Sequence, residues 1–220
     1  MYGRTFAKFV FGFAALLLVC FGALADEFQR GGPVSQAGLE TMRSAPGAGD
    51  AGLSAPAVTE IRAFSCANPG TGAPIPVIAN QALQNIAVSR RLASGELMIY
   101  YNPKYIGLFQ PATALFWLEH ECMHHQLGHT SPEYPPALTD SARAAEENAA
   151  DCAAIKKMVK RRPPMIDAQG LQTIEAEVAK LTGGGFYKTG PERARWIDGC
   201  VIQAVAEIKA EQARQAGQTK

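Results

Sequence analysis

The chain has 220 residues, with 21 basic against 20 acidic side chains and a formal charge of +1. That length provides for one ordinary domain. So even a charge balance excludes a partner recruited by bulk electrostatics, such as nucleic acid or an anionic membrane.

Residues 1–25, "MYGRTFAKFVFGFAALLLVCFGALA", set Arg4 and Lys8 ahead of an apolar run and end on small residues at Ala23 and Ala25. This is the pattern of a secretory signal peptide cut before Asp26. The run is short for a membrane span, and Val19 before Cys20 is too bulky for a lipoprotein site. Cleavage removes Arg4 and Lys8, taking the charge from +1 to −1, and leaves Cys66, Cys122, Cys152 and Cys200. Four cysteines in an exported chain read as two disulfides, with three possible pairings. The expected location is therefore periplasmic or secreted, with no stable membrane anchor once the signal is gone.

Residues 26–57 are rich in Gly, Ala, Pro and Ser and poor in large apolar groups. Such a segment cannot bury enough surface to offset its ordering entropy, so a flexible leader is expected. The domain is expected over 58–213, with a disordered tail at 214–220. "VTEIRAFSC" predicts a strand, and "PGTGAPIPVIAN" is turn-rich. The spacing of Leu83, Ile86, Ala87 and Leu92 predicts a helix over 81–93. "GELMIYYNP" predicts a strand closed by Asn-Pro. Helices follow over about 111–127, opened by Pro111 and closed by Gly128, and over about 140–160, stopped before Pro163-Pro164. Another is expected over 166–181, closed by Gly183-Gly184-Gly185. A last one starts near Thr189, where Thr189 and Glu192 have capping-box spacing, and carries Ile197, Val201, Ala204, Val205 and Ile208 as its stripe. The fold class is α+β: mainly helical, with a small sheet beside the central helix.

All four histidines fall in "LEHECMHHQLGH", 118–129. His120-Glu121-x-x-His124 is HExxH. On a helix, residues four apart share a face. Two imidazoles so placed reach one Zn²⁺, and Glu121, about 100° round the helix, reaches a water beside it. Phe116, Met123 and Leu127 flank that face, while Leu115, Leu118 and Cys122 lie opposite. Only Glu119 and Gln126 form a polar strip, so this helix is expected to run through the middle of the domain. Buried imidazoles and a buried carboxylate need a charge partner, which a metal supplies.

The third ligand is sought on the next helix. Leu127 and Thr130 occupy the positions where a metzincin would have Gly and His, and His129 is expected just past the helix end. Glu147-Asn-Ala-Ala-Asp151 sets two carboxylates four apart on one face. Glu147 can complete a His₂Glu site with an open fourth position, and Asp151 can accept the N–H of a ligand imidazole. Glu146, which projects toward the polar face, is the other ligand candidate. Cys122 points away from the metal face, towards the side where the first strand packs, which favours Cys66–Cys122. Cys152 and Cys200, on the edges of their helix stripes, would then tie the Glu147 helix to the last one.

His120-Glu121-Cys122-Met123-His124 followed by Glu147-Asn148-Ala149-Ala150-Asp151 resembles the gluzincin metallopeptidases, of the compact HtpX/CAAX-protease type. The resemblance covers about 97–200. It implies a zincin-like fold for the 58–213 domain, a single Zn²⁺ and a peptide or protein substrate. It also implies that the strand before the active-site helix binds extended substrate along its edge, here "ELMIYYNP". The family's later His-Pro…Arg element is met by Gly190-Pro191, then Arg193 and Arg195, and the histidine is missing. Zn²⁺ on His120, His124 and Glu147 would acidify water and polarise the scissile carbonyl. Glu121 would take the proton and pass it to the leaving amine. Arg195, Tyr187 or His125, in that order, would stabilise the oxyanion. Two other readings stay open: a non-catalytic zinc or interaction module, and a disulfide-held helical domain with no metal. Glu121 favours catalysis, because a structural zinc closes its shell with Cys and His.

Overall fold

Asn102 sets the course of the first half of the domain. In the computed structural model, which describes Ile61 and residues 64–132, 138–161, 163–185 and 187–218, this asparagine is 2% exposed. Its Nδ2 donates to the carbonyls of Leu83 (2.6 Å) and Gln81 (3.2 Å), and its backbone N–H donates to Ile86 O at 2.9 Å. Those three bonds hold residues 81–86 folded around Asn102. The helix expected over 81–93 is replaced by turns and a strand, β4 (Ala87–Arg91). Ala87, Val88 and Ser89 are all buried in sequence, which a strand covered on both faces requires and a surface helix does not.

β4 pairs antiparallel with β5 (Leu97–Tyr101), and β3 (Val77–Ala79) pairs parallel with β5 on its other side. The order β3-β5-β4 makes β5 central and β4 an edge. Ahead of them, β1 (Cys66–Ala67) pairs with β2 (Pro74–Ile75) across a turn in which Asn68 Oδ1 accepts from the N–H of Gly70 at 2.9 Å. Of the strand expected over 58–66, Cys66 is in a strand, with Ala67, while Ile61 is helical and Phe64 and Ser65 are in neither; the other residues lie outside the described ones. The signal segment, the leader and the expected domain start at Val58 lie outside the described residues.

Asn102 also caps α1 (Pro103–Ile106), accepting from Lys104 N–H at 2.9 Å; Asn-Pro opens a helical turn as well as closing a strand. Then α2 (Pro111–Gln126) begins on proline and ends at Gly128, whose φ of 78° is the left-handed conformation that glycine tolerates. From Phe116 to His125 every residue of α2 is buried, so the helix crosses the domain interior as expected. Glu119 does not reach solvent. It is 1% exposed and meets Lys157 Nζ at 2.6 Å, an ion pair between α2 and the next helix.

That helix, α3 (Asp140–Lys160), is capped by Thr139 Oγ1 accepting from Ala142 N–H. α4 (Ala168–Val178) is capped by Asp167, accepting from Gly170 N–H, and is shorter at both ends than 166–181. α5 (Gly190–Gln218) starts with Glu192 accepting from both N–H and hydroxyl of Thr189, which is one half of the capping box. It runs on through 214–218, where a disordered tail was expected, although those residues are exposed. The chain is α+β and mainly helical, with its small sheet beside α2.

Both disulfides pair as facing predicted. Cys66–Cys122 ties β1 to α2, and Cys152–Cys200 ties α3 to α5. The second closes a sequence separation of 48 residues, a constraint on the unfolded chain worth about 4 kcal/mol in the loop-entropy picture. The double substitution Cys152→Ala/Cys200→Ala is expected to lower unfolding stability by about 2–4 kcal/mol in urea titration. A loss below about 1 kcal/mol would show that α3 and α5 hold together without the crosslink.

Candidate metal centre

α2 and α3 lie side by side, so each presents residues four apart to the same interior space. His120 and His124 come from α2, Glu147 from α3, and all three are buried. His120 Nε2 is 3.1 Å from His124 Nε2 and 3.2 Å from Glu147 Oε2; His124 Nε2 is 3.4 Å from Glu147 Oε1. Donors bonded at about 2.0–2.1 Å to one tetrahedral ion lie about 3.3 Å apart. The two nitrogens and the carboxylate thus fit a divalent transition metal, and three donors leave a fourth position open.

The electrostatics ask for a cation there. Burial pushes His120 towards the neutral form, yet hydrogen bonds and charge from Asp151 and Glu147 outweigh it and raise its pKa to about 10. Burial likewise pushes Glu147 up, but His124, His120 and Arg193 more than offset that and bring it to about 2. A proton or a metal must supply the positive charge these carboxylates favour.

Asp151 does what the sequence suggested. His120 Nδ1–H donates to its Oδ1 at 2.8 Å, which turns Nε2 towards the shared space. The sequence missed its other partner. Arg193 grips Asp151 with Nε to Oδ2 and Nη2 to Oδ1, both 2.7 Å, and its guanidinium lies 4.8 Å from the Trp117 ring centroid. Burial alone would raise the Asp151 pKa; Arg193 first and His120 next hold it well below the usual carboxylate range. Arg193 leads the inward stripe Ile197, Cys200, Ala204 of α5, spaced by four, three and four residues, and that phase was the signal available in the sequence.

Arg195 is exposed and lies beside Lys188, Glu192 and Trp196, away from the ligand group. The expected oxyanion role for Arg195 is not supported by its position, because two residues on a helix turn it about 200° from Arg193. His125 is also elsewhere: its ring meets Thr130 Oγ1 at 2.8 Å and Met98 O at 3.0 Å, tying α2 to β5. Tyr187 does line the cavity in front of the ligands, with Asn85, Ala87, Trp117, Leu181 and Lys188. Glu146 is buried beside Glu147 but is not among the three converging donors.

Glu121 borders the same cavity. Its Oε2 accepts the backbone N–H of Ser89 at 2.7 Å, a bond from β4 that fixes the carboxylate. Burial is the main cause of a pKa raised to about 7; Glu147 adds to the rise, while His120 and Ser89 oppose it. A carboxyl so tuned is suited to exchanging protons near neutral pH.

The Arg193 grip can be tested against its exposed neighbour. Arg193→Leu leaves Asp151 buried without its guanidinium and is expected to cost about 3 kcal/mol in stability and roughly tenfold in metal affinity. Arg195→Leu is expected to stay within about 0.5 kcal/mol. Equal losses in denaturant titrations of the two variants would deny Arg193 this role.

Fold and site together define an α+β domain with a buried His₂–carboxylate centre backed by an aspartate and an arginine. Comparison with known proteins gave no match to a protein-family model, a curated protein or a solved structure.

Proposed function

We propose that the chain is an exported zinc metallopeptidase of the gluzincin type, hydrolysing peptide bonds in peptide or protein substrates. The observation that carries this reading is Glu121. A buried carboxylate, fixed by Ser89 N–H, borders the same cavity as a three-donor set with an open fourth position, which a purely structural zinc does not require. Zinc on His120, His124 and Glu147 would supply Lewis acidity towards a carbonyl and a water. Glu121, aimed by Ser89 N–H, takes the proton of the attacking water and delivers it to the leaving amine. Tyr187, which lines the cavity, would donate towards the developing oxyanion.

Substrate pairing is reassigned by the sheet order. β5 is central, so its edges are taken; β3 and β4 are the edge strands, and it is beside β4 that Asn85, Ile86 and Ala87 wall the cavity with His120 and Glu121. An extended peptide would add to β4. Two disulfides favour an oxidising, extracytoplasmic location. Among the described residues no helix is long and apolar enough to cross a membrane.

The test is hydrolysis of unfolded protein and peptide substrates by the zinc-loaded chain. Cleavage that stops with a chelator and returns with zinc is expected. A folded, zinc-loaded chain that leaves every substrate of a broad panel intact overturns the peptidase reading.

A further inference from the structure

The turn that ends α2 brings a third histidine, His129, to the centre. Gly128, at φ 78°, sends its N–H to His125 O (3.2 Å), and His129 N–H returns to His124 O (2.9 Å). These two bonds form a Schellman motif, with Gly128 at the left-handed position. The chain doubles back so that the His129 ring lies against the His124 ring, centroids 5.1 Å apart at 62°. The two Nδ1 atoms are 2.9 Å apart, His124 being 0% and His129 8% exposed.

Two ring nitrogens at that distance share one proton, so one donates and the other accepts. On the metal reading, His124 Nε2, which faces His120 Nε2 and Glu147 Oε1, gives its lone pair to the ion. A neutral imidazole has a single N–H, which for His124 is then at Nδ1. His129 Nδ1 is the acceptor, and its own proton sits on Nε2.

We propose that His129 is a positioning residue for the metal centre, accepting Nδ1–H of His124 and fixing the ring so that Nε2 faces the ion. This rests on the metal reading of the site given above. The two ligand histidines are thereby backed differently. His120 leans on the Asp151 carboxylate, which Arg193 grips, whereas His124 leans on the His129 ring.

Asparagine and alanine at 129 separate positioning from bulk. Asn places its Oδ1 where Nδ1 of His stands and keeps an acceptor; Ala removes it. Zinc affinity is read by competition with a chromophoric chelator, ligand geometry by the visible absorption of the Co²⁺-loaded chain, and folding by circular dichroism of the metal-free chain. The expected result is a zinc affinity 10–100-fold weaker in His129→Ala, with a shifted Co²⁺ spectrum. His129→Asn is expected to stay within a few-fold of wild type, with its spectrum preserved. Wild-type affinity in His129→Ala overturns the proposal, and so does equal weakening in both variants, which would make His129 a packing residue. A wild-type chain that binds neither zinc nor Co²⁺ overturns it too, and is recognised separately because it removes the metal reading itself.

Discussion

Glu147→Ala is expected to purify folded but without its metal, with zinc affinity reduced beyond the roughly 100-fold that loss of an outer-shell partner costs. The carboxylate spans both imidazoles, at 3.2 Å from His120 and 3.4 Å from His124, so its removal takes one of three donors and the charge that draws a cation. Alanine is well tolerated inside a helix such as α3, and the two disulfides are untouched. Metal content after dialysis, with circular dichroism as the fold control, decides the matter. One ion per chain retained by the variant would move the third ligand elsewhere, and Glu146 next door would be the first residue to examine.

Glu121→Gln separates binding from chemistry. Glutamine keeps an oxygen for Ser89 N–H, so zinc content is expected to match wild type while kcat falls by about 10²–10⁴-fold. Undiminished turnover would refute the base assignment. Stability is expected to move the other way. The folded carboxyl has its pKa raised from an ordinary 4.5 to about 7, so between those values the folded chain binds more protons than the unfolded one. Wild-type stability without metal therefore contains a component that falls as pH rises from about 4.5 to about 7, and Gln lacks it. The metal-free variant is expected to gain on wild type across that window in parallel denaturant titrations.

Some of this was legible from the sequence and some was not, for physical reasons. Helix α2 announced itself because proline at its start, glycine after its end and HExxH on one face all state the same register. The α3 bounds and both cysteine pairs followed from similar facing arguments. Segment 81–93 misled because Leu83, Ile86 and Ala87 fall at helical spacing, whereas its carbonyls are claimed by Asn102, some 20 residues away. No local pattern carries that bond. β5 was expected to offer a free edge, but sheet order depends on where β3 returns. The choice of Arg195 over Arg193 was a phase error: the inward stripe of α5 runs through Ile197, Cys200 and Ala204, and Arg193 continues it. His129 was read as merely beyond the helix, since only the Schellman turn reveals that it folds back.

Each sulfur bridge starts one residue past a group at the centre: Cys122 follows Glu121, and Cys152 follows Asp151. One residue is about 100° of helix, so the same turn that aims a side chain at the centre ties its neighbour to another element, Cys122 to β1 and Cys152 to α5. Opening the two bridges is therefore expected to loosen the aim of Glu121 and of the Asp151 carboxylate that braces His120.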